Sequence, residues 1–160
     1  MRNNMRNTGR NLPLFAAAVL VSAAVAGCGG SKAYKDGTFT ARSSVYEGLE
    51  DEEFAEFGAS GDGYGEVTVT IKDGKITDCS FTTYTTDGEV KGEDYGKRDG
   101  SIRNQDYYNK AQRAVKGSQK YAEQLKETGD LKKVDAVTGA TISYDEFKEA
   151  VELALKQAEK

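Results

Sequence analysis

Histidine and tryptophan are absent from this chain of 160 residues, methionine does not recur after Met5, the one proline is Pro13, and cysteine occurs only as Cys28 and Cys79. These gaps exclude chemistry. Haem iron, blue copper and tetrahedral zinc lean on His, Met or clustered Cys ligands, so any redox work here requires an organic cofactor. Basic residues are missing too, from Arg42 to Lys72, where "YEGLEDEEFAEFGASGDGYG" (46–65) carries seven acids. That stretch lacks the alternating ligand pattern of a calcium loop. It reads as a solvated acidic excursion, with Phe54 and Phe57 packing locally as one helical turn.

The N-terminus belongs to a different category. "MRNNMRNTGR" has three arginines and no acid, and the apolar run that follows it, residues 11–27, is too short and too rich in small residues for a spanning helix. The reading is a signal peptide over 1–27. Its end, "VAGC", resembles the lipobox at which bacterial signal peptides are cut and the new N-terminal cysteine acylated, which makes Cys28 the lipid anchor and residues 28–36 a short tether. A soluble export signal that happens to hold a cysteine is the alternative. Cleavage removes Arg2, Arg6 and Arg10 and lowers the formal charge of −4 by three, to −7. So acidic a surface repels phosphate backbones, so nucleic acid is discounted as a partner. With Cys28 acylated, Cys79 has no partner for a disulfide and reads as a small core residue.

Residues 37–160 are one domain's worth of chain. "TFTARSSV" (38–45) has the composition of a first strand. In "EVTVTIKDGKIT" (66–77), Val67, Val69 and Ile71 alternate with Thr68 and Thr70, and Asp73-Gly74 supplies a two-residue hairpin turn. Simple register puts Cys79 and Phe81 on the face opposite Val69, so either that face is also covered or a bulge near Asp78 resets the alternation. The polar segment 85–105 is turn-rich. "DYYNKAQRAV" and "SQKYAEQLKET" predict two helical pieces separated at Gly117, with Gly129 as the stop. The order of elements predicts an α+β fold, a single domain with an antiparallel sheet packed by C-terminal helices.

The last helix carries the apolar stripe Phe147, Val151, Ala154 and Ala158. Ser143 and Glu146 read as a capping box, with Ile142 and Phe147 as its staple. This predicts a start at Ser143 and leaves Thr141 two residues outside the helix's positive end, where an anion is favoured. Gly139 allows a tight turn and Ala140 leaves the hydroxyl clear. On local grounds "TGAT" also reads as an ordinary turn between elements.

"DAVTGATIS" (135–143) resembles the Asp-x-x-(Ser/Thr)-Gly-Ala-(Thr/Ser) signature of the FMN-binding domain family, whose members include subunits of sodium-pumping NADH:quinone reductases, extracytoplasmic reductases and electron-transfer lipoproteins. The likeness extends loosely over residues 35–158. The resemblance implies that a flavin transferase moves FMN from FAD onto Thr141 through a phosphoester. Asp135, Thr138, Gly139 and Ala140 would be the recognised motif, with Thr138 and Ser143 beside the phosphate. It further implies an electron carrier without turnover of its own, held at the extracytoplasmic face by membrane lipid on Cys28 and reduced by a membrane dehydrogenase or quinol. The respiratory branch's Glu-Thr-Pro-Gly-like stretch has no counterpart here, and "KGEDYGKRDG" stands in the middle instead. Tyr84 and Tyr95 are the candidates for stacking on the flavin ring. A surface lipoprotein that binds a ligand or partner without covalent flavin, or with FMN bound non-covalently, is the rival reading.

Overall fold

The computed structural model describes residues 34–47 and 61–160. The chain divides into two units, Met1–Ser31 and Lys32–Lys160, and all described residues belong to the second. The signal peptide, Cys28, most of the tether, and Phe54 and Phe57 of the acidic excursion lie outside the described residues.

Three strands form one antiparallel sheet in the order β1-β2-β3: β1 Gly37–Arg42, β2 Tyr64–Lys72 and β3 Lys75–Tyr84. In β2 the buried Gly65, Val67, Val69 and Ile71 alternate with partly exposed residues, as the period of a half-covered strand requires. On the other face Thr38 meets Thr70 (3.3 Å) and Thr40 meets Thr68 (2.9 Å) through their hydroxyls. The β2–β3 connection is Asp73-Gly74 with φ of 52° and 70°. Two consecutive positive angles match the right-handed twist of the strands it joins. Register runs Val67↔Phe81, Val69↔Cys79 and Thr70↔Asp78, then Ile71↔Ile76, with Thr77 the extra residue. That bulge resets the alternation, and Phe81 and Cys79 join Val67 and Val69 on the core face.

Two helices cover this face. α1 (Gln105–Thr128) packs on β3, and α2 (Thr141–Ala158) on β2 and β1. α1 starts where the Asn104 side chain accepts the Tyr107 N–H, and stops at Gly129, whose φ of 63° lets its N–H reach the Leu125 carbonyl. It runs unbroken through Gly117, so the two pieces predicted from sequence are one helix. The glycine is kept by packing, because it is buried where another chain segment crosses it. The core combines Val67, Val69 and Ile71 with Tyr121, Leu125, Phe147, Val151 and Ala154, and Phe147 meets Phe81 edge-on and Tyr121 face-on. At the far end of α2, the Lys35 N–H bonds the Ala158 carbonyl (2.7 Å). The start of the described chain is thereby clipped to the C-terminus of α2.

Cys79 packs against this core, and burial pushes its thiol up to about 12. Thiolate is the reactive form. Iodoacetamide at pH 8 should therefore label Cys79 in the folded protein at least about 100-fold more slowly than in the urea-unfolded chain, as followed by peptide mapping. Equal rates would contradict the burial.

Candidate functional site

The segment joining α1 to α2 carries the motif, and α1 is its support. After a short 3-10 turn at Leu131–Lys133, the chain runs back along α1 in extended form. Gln124 holds Asp135 by both backbone groups: its Oε1 accepts the Asp135 N–H (2.8 Å) and its Nε2 donates to the Asp135 carbonyl (3.2 Å). One turn earlier, the Tyr121 hydroxyl accepts the Val137 N–H (3.0 Å) and donates to the Ala140 carbonyl (2.9 Å). Tyr144 of α2 adds a bond from its hydroxyl to the Val134 carbonyl (2.8 Å). Another turn towards the start of α1, Gly117 presents no side chain, and Val137 and Ala140 close onto it. The positions 117, 121 and 124 lie on one helix face by their spacing, and each secures a different part of the loop.

The loop ends in a tight turn. The Ala140 N–H bonds the Val137 carbonyl (3.0 Å), and Gly139 takes φ of 84° at the third place, the arrangement a type II turn requires. Asp135, Thr138 and Thr141 are exposed along it, while Ala140 is buried. The turn also sets the helix. The Ala140 carbonyl already accepts the Tyr144 N–H (3.0 Å), so α2 begins at Thr141 with Ala140 as its N-cap.

This corrects the predicted start at Ser143. Ser143 is the third helical residue and is buried, so it does not cap the helix. Glu146 does not reach back to it: the residue is fully buried and neither carboxylate oxygen has a hydrogen-bond partner. Ile142 is 36 % exposed and stands outside the core that holds Phe147, so the staple is absent as well. The physical reason is that Glu146 and Phe147 are taken into the core, and the preceding turn has supplied the first helical bond before Ser143. The consequence favours an anion more strongly. Ala140 has no side chain with which to cap, the first turn of α2 holds no acid, and its leading N–H groups have no intrahelical partners. Thr141, the first helical residue, carries its hydroxyl at that end, and that hydroxyl makes no hydrogen bond to other described residues.

A second segment, residues 85–101, is fastened to the start of α1. Gln112 Nε2 bonds the carbonyls of Gly92 (3.0 Å) and Tyr95 (2.9 Å), and Gly96 fits against Ala111 and Tyr108. Tyr95 lines a polar cleft of about 280 Å³ with Gly61, Asp62, Thr85 and Lys97, and burial pushes its phenol above the ordinary range. Behind it Lys91 is buried: its ammonium donates to the Gly61 carbonyl (3.0 Å), stands 4.0 Å from Glu146 Oε1 and lies over the Tyr95 ring. Tyr84, the other stacking candidate, stands at the end of β3 with its ring stacked on Tyr64 (5.1 Å). Of the two, Tyr95 is the one fastened to α1 beside the motif's support.

The structure thus brings Asp135, Thr138, Gly139, Ala140, Thr141 and Ser143 into one loop and first helical turn. Tyr121 and Gln124, which hold that loop, were not singled out from sequence, and Gly117 was read there only as a break between helical pieces. Their shared spacing on α1 was visible, but its partner was not. Gly117→Ala separates the two influences on that residue: helix propensity favours alanine by about 1 kcal/mol, whereas the added Cβ would meet Ala140 Cβ at 2.7 Å. The expected result is a loss of about 1–3 kcal/mol in urea unfolding. A gain would show that the contact relaxes freely.

A model of the FMN-binding domain matches residues 58–156. Among solved structures, a Clostridium perfringens protein determined by crystallography has 21 % identity and a TM-score of 0.50, with 78 % of this chain and 88 % of that chain covered. A Clostridium thermocellum protein determined by solution NMR has 23 % identity and a TM-score of 0.39, covering 79 % of this chain and 93 % of that one. The first of these likenesses bears on the fold alone. A search of curated proteins gave no match.

Proposed function

This chain belongs to the FMN-binding domain family, and on that premise we propose that it is a lipid-anchored extracytoplasmic electron carrier whose FMN is joined through a phosphoester to Thr141. One observation carries the reading: the exposed Thr141 hydroxyl stands at the uncapped, acid-free start of α2, on a turn that α1 holds rigid. The residues present fit a phosphate there. Leading N–H groups and the helix dipole favour the anion, Gly139 gives the turn its shape, and Thr138 is exposed beside it.

In this reading Thr141 Oγ1 forms the new bond to phosphorus. AMP leaves from FAD, and the hydroxyl proton passes to a base on the flavin transferase. FMN supplies the electron-transfer chemistry, and the protein supplies position and electrostatics. A covalent link suits an exported carrier, since a flavin lost outside the cell is not replaced. The described chain begins at the C-terminal end of α2, whereas Thr141 opens that helix of 18 residues. Thr141 therefore stands about 27 Å along α2 from the point where Lys35 is clipped to Ala158. A membrane dehydrogenase or quinol is the proposed donor.

The test is co-expression of the exported domain with a flavin transferase, then denaturation and intact-mass measurement with in-gel flavin fluorescence. Flavin should remain on the denatured chain. Flavin present in the native protein but lost on denaturation would mean non-covalent FMN, and none in either state would favour the partner-binding lipoprotein.

A further inference from the structure

α1 changes character beside the motif. From Tyr107 to Ala122 it contains Lys110, Arg113, Lys116 and Lys120 and no acid, in a chain whose formal charge is −4. Arg113 is the member of this group placed at the turn: a Cβ built on Gly139 would lie 3.9 Å from Arg113 Cβ. Its position is set independently of any ligand, because Gly117, one turn along the same face, is closed against Ala140 and Val137. Arg113 is exposed and makes no ion pair among the described residues. The neighbouring carboxylates are otherwise engaged or remote. Asp145 pairs with Lys148 (2.9 Å), Glu146 is buried on the core side, and Asp135 is held at Gln124, eleven residues along α1 from Arg113 and so about 16 Å away along its axis.

An unpaired guanidinium therefore stands beside the turn that presents Thr141. A phosphodiester retains one negative charge, and arginine is the side chain whose planar donors suit phosphate oxygens. We propose that Arg113 is the cation that pairs with the phosphodiester on Thr141, a positioning residue that directs the flavin's phosphate along α1 instead of leaving it free in solvent. The proposal rests on the reading of Thr141 as the attachment site. α2 contributes N–H donors at one side of the anion, and Arg113 contributes charge from the other helix.

The experiment has two arms. The first needs no flavin: Thr141→Glu places a carboxylate at the first position of α2, and its effect on thermal unfolding is compared with and without Arg113→Gln. Thr141→Glu should raise Tm by about 2 °C in the wild-type background, and by less than half of that with Arg113→Gln. Lys156→Gln, the same charge change at the other end of α2, should leave the gain intact. An equal gain in all three backgrounds overturns the proposal. The second arm uses the flavin-loaded protein. The phosphorus resonance should shift in Arg113→Gln, stay near its wild-type position in Arg113→Lys, and be unmoved by Lys156→Gln; an unmoved line in Arg113→Gln overturns the pairing. If wild-type protein takes up no covalent flavin, the attachment reading fails and the first arm alone decides whether Arg113 serves an anion at this position.

Discussion

Thr141→Val should abolish covalent flavin attachment while leaving the fold intact. The loss is expected to be complete, since valine keeps the branched shape but has no oxygen to form the phosphoester. What makes the test clean is where the residue sits. Thr141 is exposed, lies outside the core and its hydroxyl makes no hydrogen bond to other described residues, so the stability cost of the substitution should stay within about 0.5 kcal/mol. Thr141→Ser restores the hydroxyl and should restore attachment. The check is intact mass after co-expression with the transferase, alongside a urea melt of each variant. Flavin persisting in Thr141→Val would move the attachment point, with Thr138, exposed in the same loop, the next residue to replace.

The second large effect is expected far from that hydroxyl. Lys91→Met should destabilise the domain by about 3–5 kcal/mol. The Lys91 and Glu146 side chains are 7 % and 0 % exposed and 4.0 Å apart. The Glu146 carboxylate accepts no hydrogen bond, and its Cβ lies against the close-packed site of Gly65, where Phe81 also packs. Removing the ammonium leaves a carboxylate in apolar surroundings with nothing opposite it. Burial already raises the Glu146 pKa and the Lys91 charge opposes that rise, so without Lys91 it rises further. A carboxyl whose folded pKa is raised holds its proton better in the native state. Its stabilising effect is therefore full below the unfolded pKa near 4.5 and is lost as pH rises through the folded value. The Lys91→Met deficit should accordingly be smaller at pH 5 than at pH 7.5, and Glu146→Gln in the same chain should recover part of it. A deficit of the same size at both pH values would show that packing, not charge, is responsible.

Much of the frame was legible in the residues. The alternation of Val67, Val69 and Ile71, the Asp73-Gly74 turn and Gly129 as a helix stop are local signals, and each acts through its own backbone angles or the period of its own element. The alternation also showed that Cys79 and Phe81 needed either a covered second face or a bulge near Asp78, and the register places the extra residue at Thr77. The capping box failed for a different reason. Ser143 and Glu146 have the right spacing, but the pattern describes an exposed helix start, and Glu146 is drawn into the core. Gly117 misled similarly: its missing side chain marks the crossing of the motif loop, which helical propensity does not register.

The candidate site divides along the same line. The order Asp135, Thr138, Gly139, Ala140, Thr141 is a property of the sequence, as is the absence of His and of any Met after Met5, and the resemblance of that order to the family signature is what points to Thr141 as the proposed attachment hydroxyl. That Thr141 is the first helical residue, that Tyr121 and Gln124 clasp the loop, that Arg113 stands beside Gly139 and that Lys91 reaches Glu146 depended on tertiary structure. Backbone turns and periodicities are decided between residues a few positions apart. These contacts join residues separated by 11 to 55 positions, and only the packing of α1 and α2 on the sheet brings them within reach.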